Sequence, residues 1–575
     1  MSRLVYACQL ADLQSRGSLL VNLEQQTIVL FYHQGQPYAI DNRCPHMGFP
    51  LHGSTCQDGI LTCPWHYARF DLKSGGTFDS WADDVRSFPT TIQNQEVWLD
   101  LAAAIDGRIH QIQRLKDGLE QGISLVIAKA VIALLQLGVT PSEIAQIGLE
   151  FGTRYSKSGW DAGLTILTCM LNLLPYLDTA DHAQALYHGL AAVAQDSSNA
   201  PPHFIVQPLP EFGGDFEQLK RWFWGFIELR DREAAERCLV TAIRHQASPL
   251  VIAEMLFTAA TDHRYLDAGH TLDFINKALE ALDAIAWQSQ EQILTSLVAG
   301  LAGASRMEET SSWRYPVDLV PILRTSFEEL PAALAAGRGQ QWPGPATLMP
   351  ILLGDDPGAI ATGLLTALRA GATGKQLAQT VATAAALRVA QFNTNNDHSD
   401  WHSAHHPFTF SHAVHQALER WPGEPPLALF RGIFDGAMAV YLNRFLNVPP
   451  ARVPQPQVAD PEELLTRLPD LLDRQQQVGA IGQLVVNYLH NGGPAKQLLC
   501  SLAQVMLQEN RDFHVIQEMD AAFRQYQLSA SDSDKIQFIL ACSRYLAAHA
   551  PTNRSQTQTY RIAQRLHQGD HLHQS

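Results

Sequence analysis

Cys44-Pro45-His46-Met47-Gly48-Phe49-Pro50-Leu51 and Leu61-Thr62-Cys63-Pro64-Trp65-His66-Tyr67-Ala68-Arg69-Phe70-Asp71 decide how this chain is read. Each stretch sets a cysteine just ahead of a histidine beside a proline, and sixteen residues separate His46 from Cys63. Two thiolates and two imidazoles on two turn-rich loops can grip a binuclear iron–sulfur unit, thiolates on one iron and imidazoles on the other. Neutral imidazoles donate less negative charge than thiolates, so the histidine-bound iron takes the electron. The same residue types also make a structural zinc set. The long gap and the flanking sequence favour iron–sulfur.

Working outward, residues 18–22, 26–32 and 37–40 precede the first stretch as short runs of Val, Ile, Leu, Phe and Tyr, parted by turns at Glu24-Gln25 and Gly35-Gln36. Runs at 60–63, 85–88 and 96–101 continue the pattern. Several short strands at this spacing predict a small barrel or sandwich.

On the quoted stretches and on Ser74-Gly75-Gly76, residues 1 to about 103 closely resemble the Rieske [2Fe-2S] family. The resemblance implies one [2Fe-2S] cluster per chain, held by Cys44, His46, Cys63 and His66, with the two imidazole edges as the electron's exit. High-potential respiratory members carry an extra disulfide-forming cysteine in each loop; Phe49 and Trp65 stand there instead. Those members also place serine and tyrosine hydroxyls where this chain has Ala68 and Phe70. Losing hydrogen bonds to cluster sulfur lowers the potential, so the likeness points to the ferredoxin and oxygenase branch. Cys56 fits no ligand position and reads as a packing cysteine.

With 575 residues the chain holds several domains' worth of protein, and 46% hydrophobic against 17% charged residues can bury a large core. Forty-one basic against 57 acidic side chains give a net charge of −16, which argues against a nucleic-acid partner. No apolar run is long enough to span a bilayer, the first ten residues lack a secretory h-region, and eight scattered cysteines do not form a disulfide scaffold. A cytoplasmic location is the expectation.

After Asp106-Gly107 apolar residues recur at helical spacing, as in Leu125, Ala128, Ile132 and Leu135. The predicted fold is therefore multidomain: a small all-β domain over 1–103, then a large all-α domain over 104–575. Breaker-rich turns at Gly138-Val-Thr-Pro141, Gln246-Ala-Ser-Pro249, Gly371-Ala-Thr-Gly374 and Asn491-Gly-Gly-Pro494 each precede related helical sequence. They divide it into about four diverged, repeated helical modules. The polar stretch 551–575 reads as a flexible tail.

Six of the 23 histidines fall between Asp397 and His415. His398, His402 and His405 read as members of a solvated polar loop before a helix that carries His412 and His415. His263 and His270 occupy a comparable place in the second module, and His514 matches the offset of His270 in the fourth. His263, His270, His406 and His412 are the candidate catalytic or metal-binding set, since histidines from several helices converge in metal-binding bundles. Asp262 and Asp267 offer a carboxylate. The segment His406-Pro-Phe-Thr-Phe-Ser-His412 faintly resembles questin-oxidase-type proteins, over a few dozen residues. The mixed α/β partner domain of ring-hydroxylating Rieske oxygenases has no counterpart in this helical sequence.

The leading reading is a Rieske-dependent oxidoreductase, with oxygenation or reduction of a small organic molecule as its reaction. An electron donor, a reductase or ferredoxin, reduces the cluster, which passes electrons to a site in the helical domain acting on a small organic substrate; an additional metal there is part of this reading. The alternative is a non-catalytic electron carrier or redox sensor whose helices form a docking scaffold.

Overall fold

The computed structural model describes residues 3–24, 26–101 and 107–569. The expected domain boundary near residue 103 lies outside them. The chain divides into two compact units, one of Met1–Ile144 with Ser555–Ser575, the other of Ala145–Arg554.

Among the described residues of the first unit, ten short strands pair antiparallel: β1 (Leu4–Gln9), β2 (Ser18–Leu23), β3 (Gln26–His33), β4 (Gln36–Asp41), β5 (Thr55–Gln57), β6 (Ile60–Thr62), β7 (Arg69–Asp71), β8 (Ser87–Phe88), β9 (Thr90–Gln93) and β10 (Glu96–Asp100). They form three sheets, ordered β1-β10-β9, β2-β3-β4-β8 and β5-β6-β7. Alternation along β3 shows why it is central. Ile28 and Leu30 pack with Leu13, Val97 and Leu99 on one face, whereas Val29 and Phe31 pack with Leu61, Phe70 and Cys63 on the other. The second face is the floor beneath the two cysteine–histidine loops.

Two helices, Gly107–Gln121 and Ser124–Gln136, pack on each other in the same unit. The stretch expected as a flexible tail is corrected by the structure. Ser555–His567 is a helix that packs against Ser124–Gln136, with Tyr560, Ala563 and Leu566 buried. Its three anchors recur every third residue in an otherwise polar segment, which average polarity hides. Residues 570–575 lie outside the described part.

The second unit is helical. Each of the four breaker turns opens a helix: Pro141–Arg154, Pro249–Asp262, Gly374–Ala390 and Ala495–Leu507. Thr140 and Glu143 cap the first reciprocally, Ser248 caps the second, and Thr373 with Gln376 forms a capping box on the third. The helix Trp401–Glu419 packs against Gly374–Ala390, Leu427–Asn443, His270–Ala284 and Phe513–Leu528, and is buried almost all round. A helix in that setting cannot show an amphipathic stripe, and its polar residues face inward.

Candidate metal centres

Two loops of the first unit share one backbone design. The Cys44 N–H donates to the Phe49 carbonyl at 2.8 Å and the Cys63 N–H to the Ala68 carbonyl at 2.8 Å. Gly48 N–H returns to the Cys44 carbonyl, and Tyr67 N–H to that of Cys63. Gly48 and Tyr67, each four residues past its cysteine, both lie in the left-handed region at φ 79° and 64°. Glycine does this without cost, and a tyrosine only where the turn demands it. The matching turns aim both cysteines inward to one point.

There the Cys44 and Cys63 thiols hydrogen-bond to each other. Cys44 sulfur also accepts the backbone N–H groups of His46 and Met47, and Cys63 sulfur those of Trp65 and His66. The Cys63 thiol is pushed down to about 6, first by the Cys44 thiol and then by these amides, while its bond to Cys63 holds Cys44 up. His46 and His66 meet edge to face with ring centroids 4.9 Å apart. Trp81 meets His46 at 4.7 Å, and His66 is exposed. Paired thiols braced by amides beside paired imidazoles fit a [2Fe-2S] cluster. A second layer steadies the loop: Lys129 Nζ donates to the Pro45 carbonyl at 2.7 Å and pairs with Asp83, whose other oxygen accepts from Arg114 Nε at 2.8 Å. Cys56 sits half-buried on β5 beside this core.

In the second unit the structure brings His270 and His406 together with His514. One ring nitrogen of each lies within 4.8 Å of the others. His270 opens the helix His270–Ala284 after a tight run in which Tyr265, Asp267 and Ala268 take positive φ. His406 comes from the central helix, and His514 from the first turn of Phe513–Leu528. Burial, reinforced by His514, pushes His270 down to about 4, and burial holds His406 well below the usual histidine range. Both are therefore neutral, ligand-ready imidazoles at pH 7. His270 also lines a cavity of about 150 Å³ with Trp160, Phe274, Leu297 and Leu301.

The other candidates need correction. His263 is not in this cluster; it is clamped between Glu308 and Glu228, at 2.6 Å each, and the Glu308 bond foremost raises its pKa. His412 is fully buried six residues beyond His406, on another part of the helix, where Gln525 Nε2 donates to it at 3.0 Å. Asp262 pairs with Arg431, and Asp267 accepts from Ser305. The expected polar loop is helical from Trp401 onward. His405 is wholly buried, with Nδ1 on Glu518 at 2.7 Å and Nε2 on Gln517 at 3.2 Å, so neither nitrogen is spare. Pro407 and the run of polar residues imitate a loop, but they are the lining of the helix's buried face.

Sequence reasoning passed over His549 and gave no weight to Asp512. A carboxylate oxygen of Asp512 and ring nitrogens of His402 and His514 lie within 4.8 Å of one another, as do ring nitrogens of His398, His402 and His549. Neither residue belongs to a motif; only the ends of two helices carry them to the site.

Beside the site runs a buried polar network. Gln517 donates to Asp273, whose carboxyl is pushed up to about 8 by burial, then by Glu280 and Asp520 against the pull of Lys277. The folded state thus keeps a proton that the unfolded chain, at the ordinary 3.8, gives up. Stability is full below pH 4, falls as the pH rises to 8, and is constant beyond, with a slope of about 1.4 kcal/mol per pH unit from this group. Asp273→Asn is expected to flatten the stability–pH curve between pH 5 and 8 by up to that slope, checked by urea unfolding across the range. An unchanged slope would mean that Asp273 is ionised in the fold.

A family model for the Rieske [2Fe-2S] domain matches residues 3–89. Among curated relatives, the ferredoxin component of the naphthalene 1,2-dioxygenase system of Pseudomonas putida is 27% identical over 99 residues, 17% of this chain and 95% of that protein. Human apoptosis-inducing factor 3 is 29% identical over 93 residues, 16% of this chain, and the match spans only 15% of its own length. Among solved structures, the ferredoxin of carbazole 1,9a-dioxygenase from Nocardioides aromaticivorans IC177 aligns over 17% of this chain and 98% of its own, with 20% identity and a TM-score of 0.17. Residues 3–89 are a Rieske [2Fe-2S] domain, an electron-transfer module, and a large helical region follows it. These matches carry no likeness to questin-oxidase-type proteins. Among the described residues no helix is long and apolar enough to cross a membrane.

Proposed function

We propose that this chain is an oxidoreductase in which the Rieske domain feeds single electrons to a metal held by His270, His406 and His514, and that this metal serves oxygenation of a small organic molecule. Cys44, His46, Cys63 and His66 would hold the cluster, whose chemistry is the storage and release of one electron. The exposed His66 edge would meet the electron donor, a reductase or ferredoxin. The observation that carries the helical part of the reading is the convergence of three imidazoles, one of which, His270, lines a small cavity that also carries Asp161, Asp267 and Thr271. Imidazole sets suit redox-active iron or copper, and the cavity has roughly the volume that takes up one benzene ring. Unpaired cysteines throughout suit a reducing compartment such as the cytoplasm.

A second reading, an electron carrier with a helical docking scaffold, draws on the relative named as a ferredoxin component. Metal content separates the two. In the oxygenase reading the chain carries iron beyond the two cluster atoms. A His270→Ala, His514→Ala double variant loses that iron, keeps the cluster spectrum, and reoxidises its reduced cluster in air at least about tenfold more slowly, as expected when the electron's acceptor is gone. Two irons and two sulfides per chain, with identical reoxidation in variant and wild type, would leave the carrier reading.

A further inference from the structure

We infer that the helical region holds a second divalent transition-metal ion, next to the first, on His398, His402 and His549. The inference deepens the reading above, to which Asp512 ties it.

The argument begins with His549. It follows the helix Asp532–Ala548, is 4% exposed, and places Nδ1 2.8 Å from the Tyr545 carbonyl oxygen. A carbonyl only accepts, so Nδ1 must carry the proton and Nε2 must present its lone pair. That Nε2 is buried without a hydrogen-bond partner. A buried acceptor left bare is costly, and a metal ion is the species that such a lone pair, beside two other imidazole nitrogens, is shaped to receive.

The same tyrosine orients the second ligand. Tyr545 Oη lies 2.8 Å from His402 Nδ1, which frees the other nitrogen of His402. One residue, wholly buried on the helix Asp532–Ala548, thus fixes two imidazoles, one with its carbonyl and one with its hydroxyl. Metal-binding histidines are held in this way through the ring nitrogen that does not bind the metal. His398 supplies the third nitrogen from the turn His398–Asp400, its ring 4.1 Å from that of His549. His398 is exposed, so the position opens to solvent and an ion has a way in.

The two positions adjoin. His402 belongs to this trio and His514 to the first, their rings stand 4.2 Å apart, and the Asp512 carboxylate lies within 4.8 Å of a nitrogen on each. A carboxylate between two groups of neutral ligands is where a pair of cations places its bridging anion. Six imidazoles and one carboxylate leave most of the charge of two divalent ions uncompensated, which favours an anionic or oxygen-donor ligand between them. A pair of redox-active ions also suits a one-electron donor, because it can accumulate two electrons that arrive singly.

The test counts iron in the untagged full chain, loaded anaerobically with Fe²⁺ and desalted. Wild type is expected to hold four irons per chain, two with acid-labile sulfide and two without. His549→Ala and His398→Ala are each expected to hold three, with an unchanged cluster spectrum; His398 is exposed, so that variant keeps its fold even where the buried replacement does not. Three irons in wild type, unchanged in both variants but falling to two in His270→Ala, would overturn the second position and leave the first. Three irons in wild type, falling in His398→Ala but not in His270→Ala, would establish this position and overturn the first. Two irons in wild type would overturn both.

Discussion

A Cys63→Ser chain is expected to purify without the visible absorbance of a Rieske cluster and with two fewer irons and no acid-labile sulfide. The reason lies in how the loops prepare the thiols. The Cys44 thiol and the Trp65 and His66 amides hold Cys63 below the ordinary thiol range, which favours the thiolate that iron requires. A serine hydroxyl keeps its proton there, and a neutral hydroxyl cannot replace an anionic soft ligand to iron. The Cys63 N–H still closes its turn on the Ala68 carbonyl in the variant, because that bond is backbone. The protein fold should therefore survive while the cofactor is lost, which far-ultraviolet circular dichroism checks. Cys56→Ser provides the control: Cys56 lies on β5, packed against the core beneath the loops and outside the two cysteine–histidine turns, and its replacement should leave the colour intact. Retention of the spectrum in Cys63→Ser, or its loss in Cys56→Ser, would refute the ligand assignment.

The difference between the two sites explains how much of each was readable. The four candidate cluster ligands, Cys44, His46, Cys63 and His66, sit within 23 residues on two turns, so residue type, spacing and glycine placement all report on one local structure. The helical site is assembled from residues between 270 and 549, and no local pattern encodes the packing that joins them. What remained legible was composition: histidine is dense around residue 400, and His270 and His514 follow their module turns at similar offsets. That was enough to name His270 and His406 as candidates and to notice the offset of His514, and the structure brings these three rings together. Composition failed at His263 and His412, because a helix places residues i and i+6 on different faces and because acidic neighbours as distant as Glu228 and Glu308 can claim a histidine. The loop reading of 398–406 failed for a related reason. Polar residues normally mark the outside of a helix, and here they line its inside. Ser555–His567 shows the reverse case, a polar stretch whose few apolar residues are enough to seat it.

Lys277→Met is expected to destabilise the helical region by about 3–5 kcal/mol, the cost of stripping one partner from a buried ion pair. Lys277 is wholly buried, pairs with Asp520, and reaches Glu280 at 3.0 Å. Burial alone would drive the ammonium neutral, but Asp520 and Glu280 overcome it and hold its pKa well above the ordinary value. Burial would likewise protonate Glu280; Arg524 and Lys277 keep it ionised. Asn172 donates to both carboxylates, at 2.8 and 3.1 Å, and Asn276 to Glu280 at 2.8 Å. These amides stay when the lysine goes, so the loss is the charge balance and not every hydrogen bond. The network links the helix of His270 to the helix of His514, Asp520 lying six residues beyond His514 and Lys277 seven beyond His270. Loosening it should also weaken iron retention at the histidine site, whereas the Rieske cluster in the other unit should keep its spectrum up to the unfolding transition. A triple change, Lys277→Met with Glu280→Gln and Asp520→Asn, removes these three buried charges together and should recover part of the stability, because Arg524, which loses Glu280 as its partner, is partly exposed and can be hydrated. Urea unfolding followed by far-ultraviolet circular dichroism reads both effects. A single variant as stable as wild type, or a triple variant no better than the single, would show that the ion pairs do not hold these two helices together.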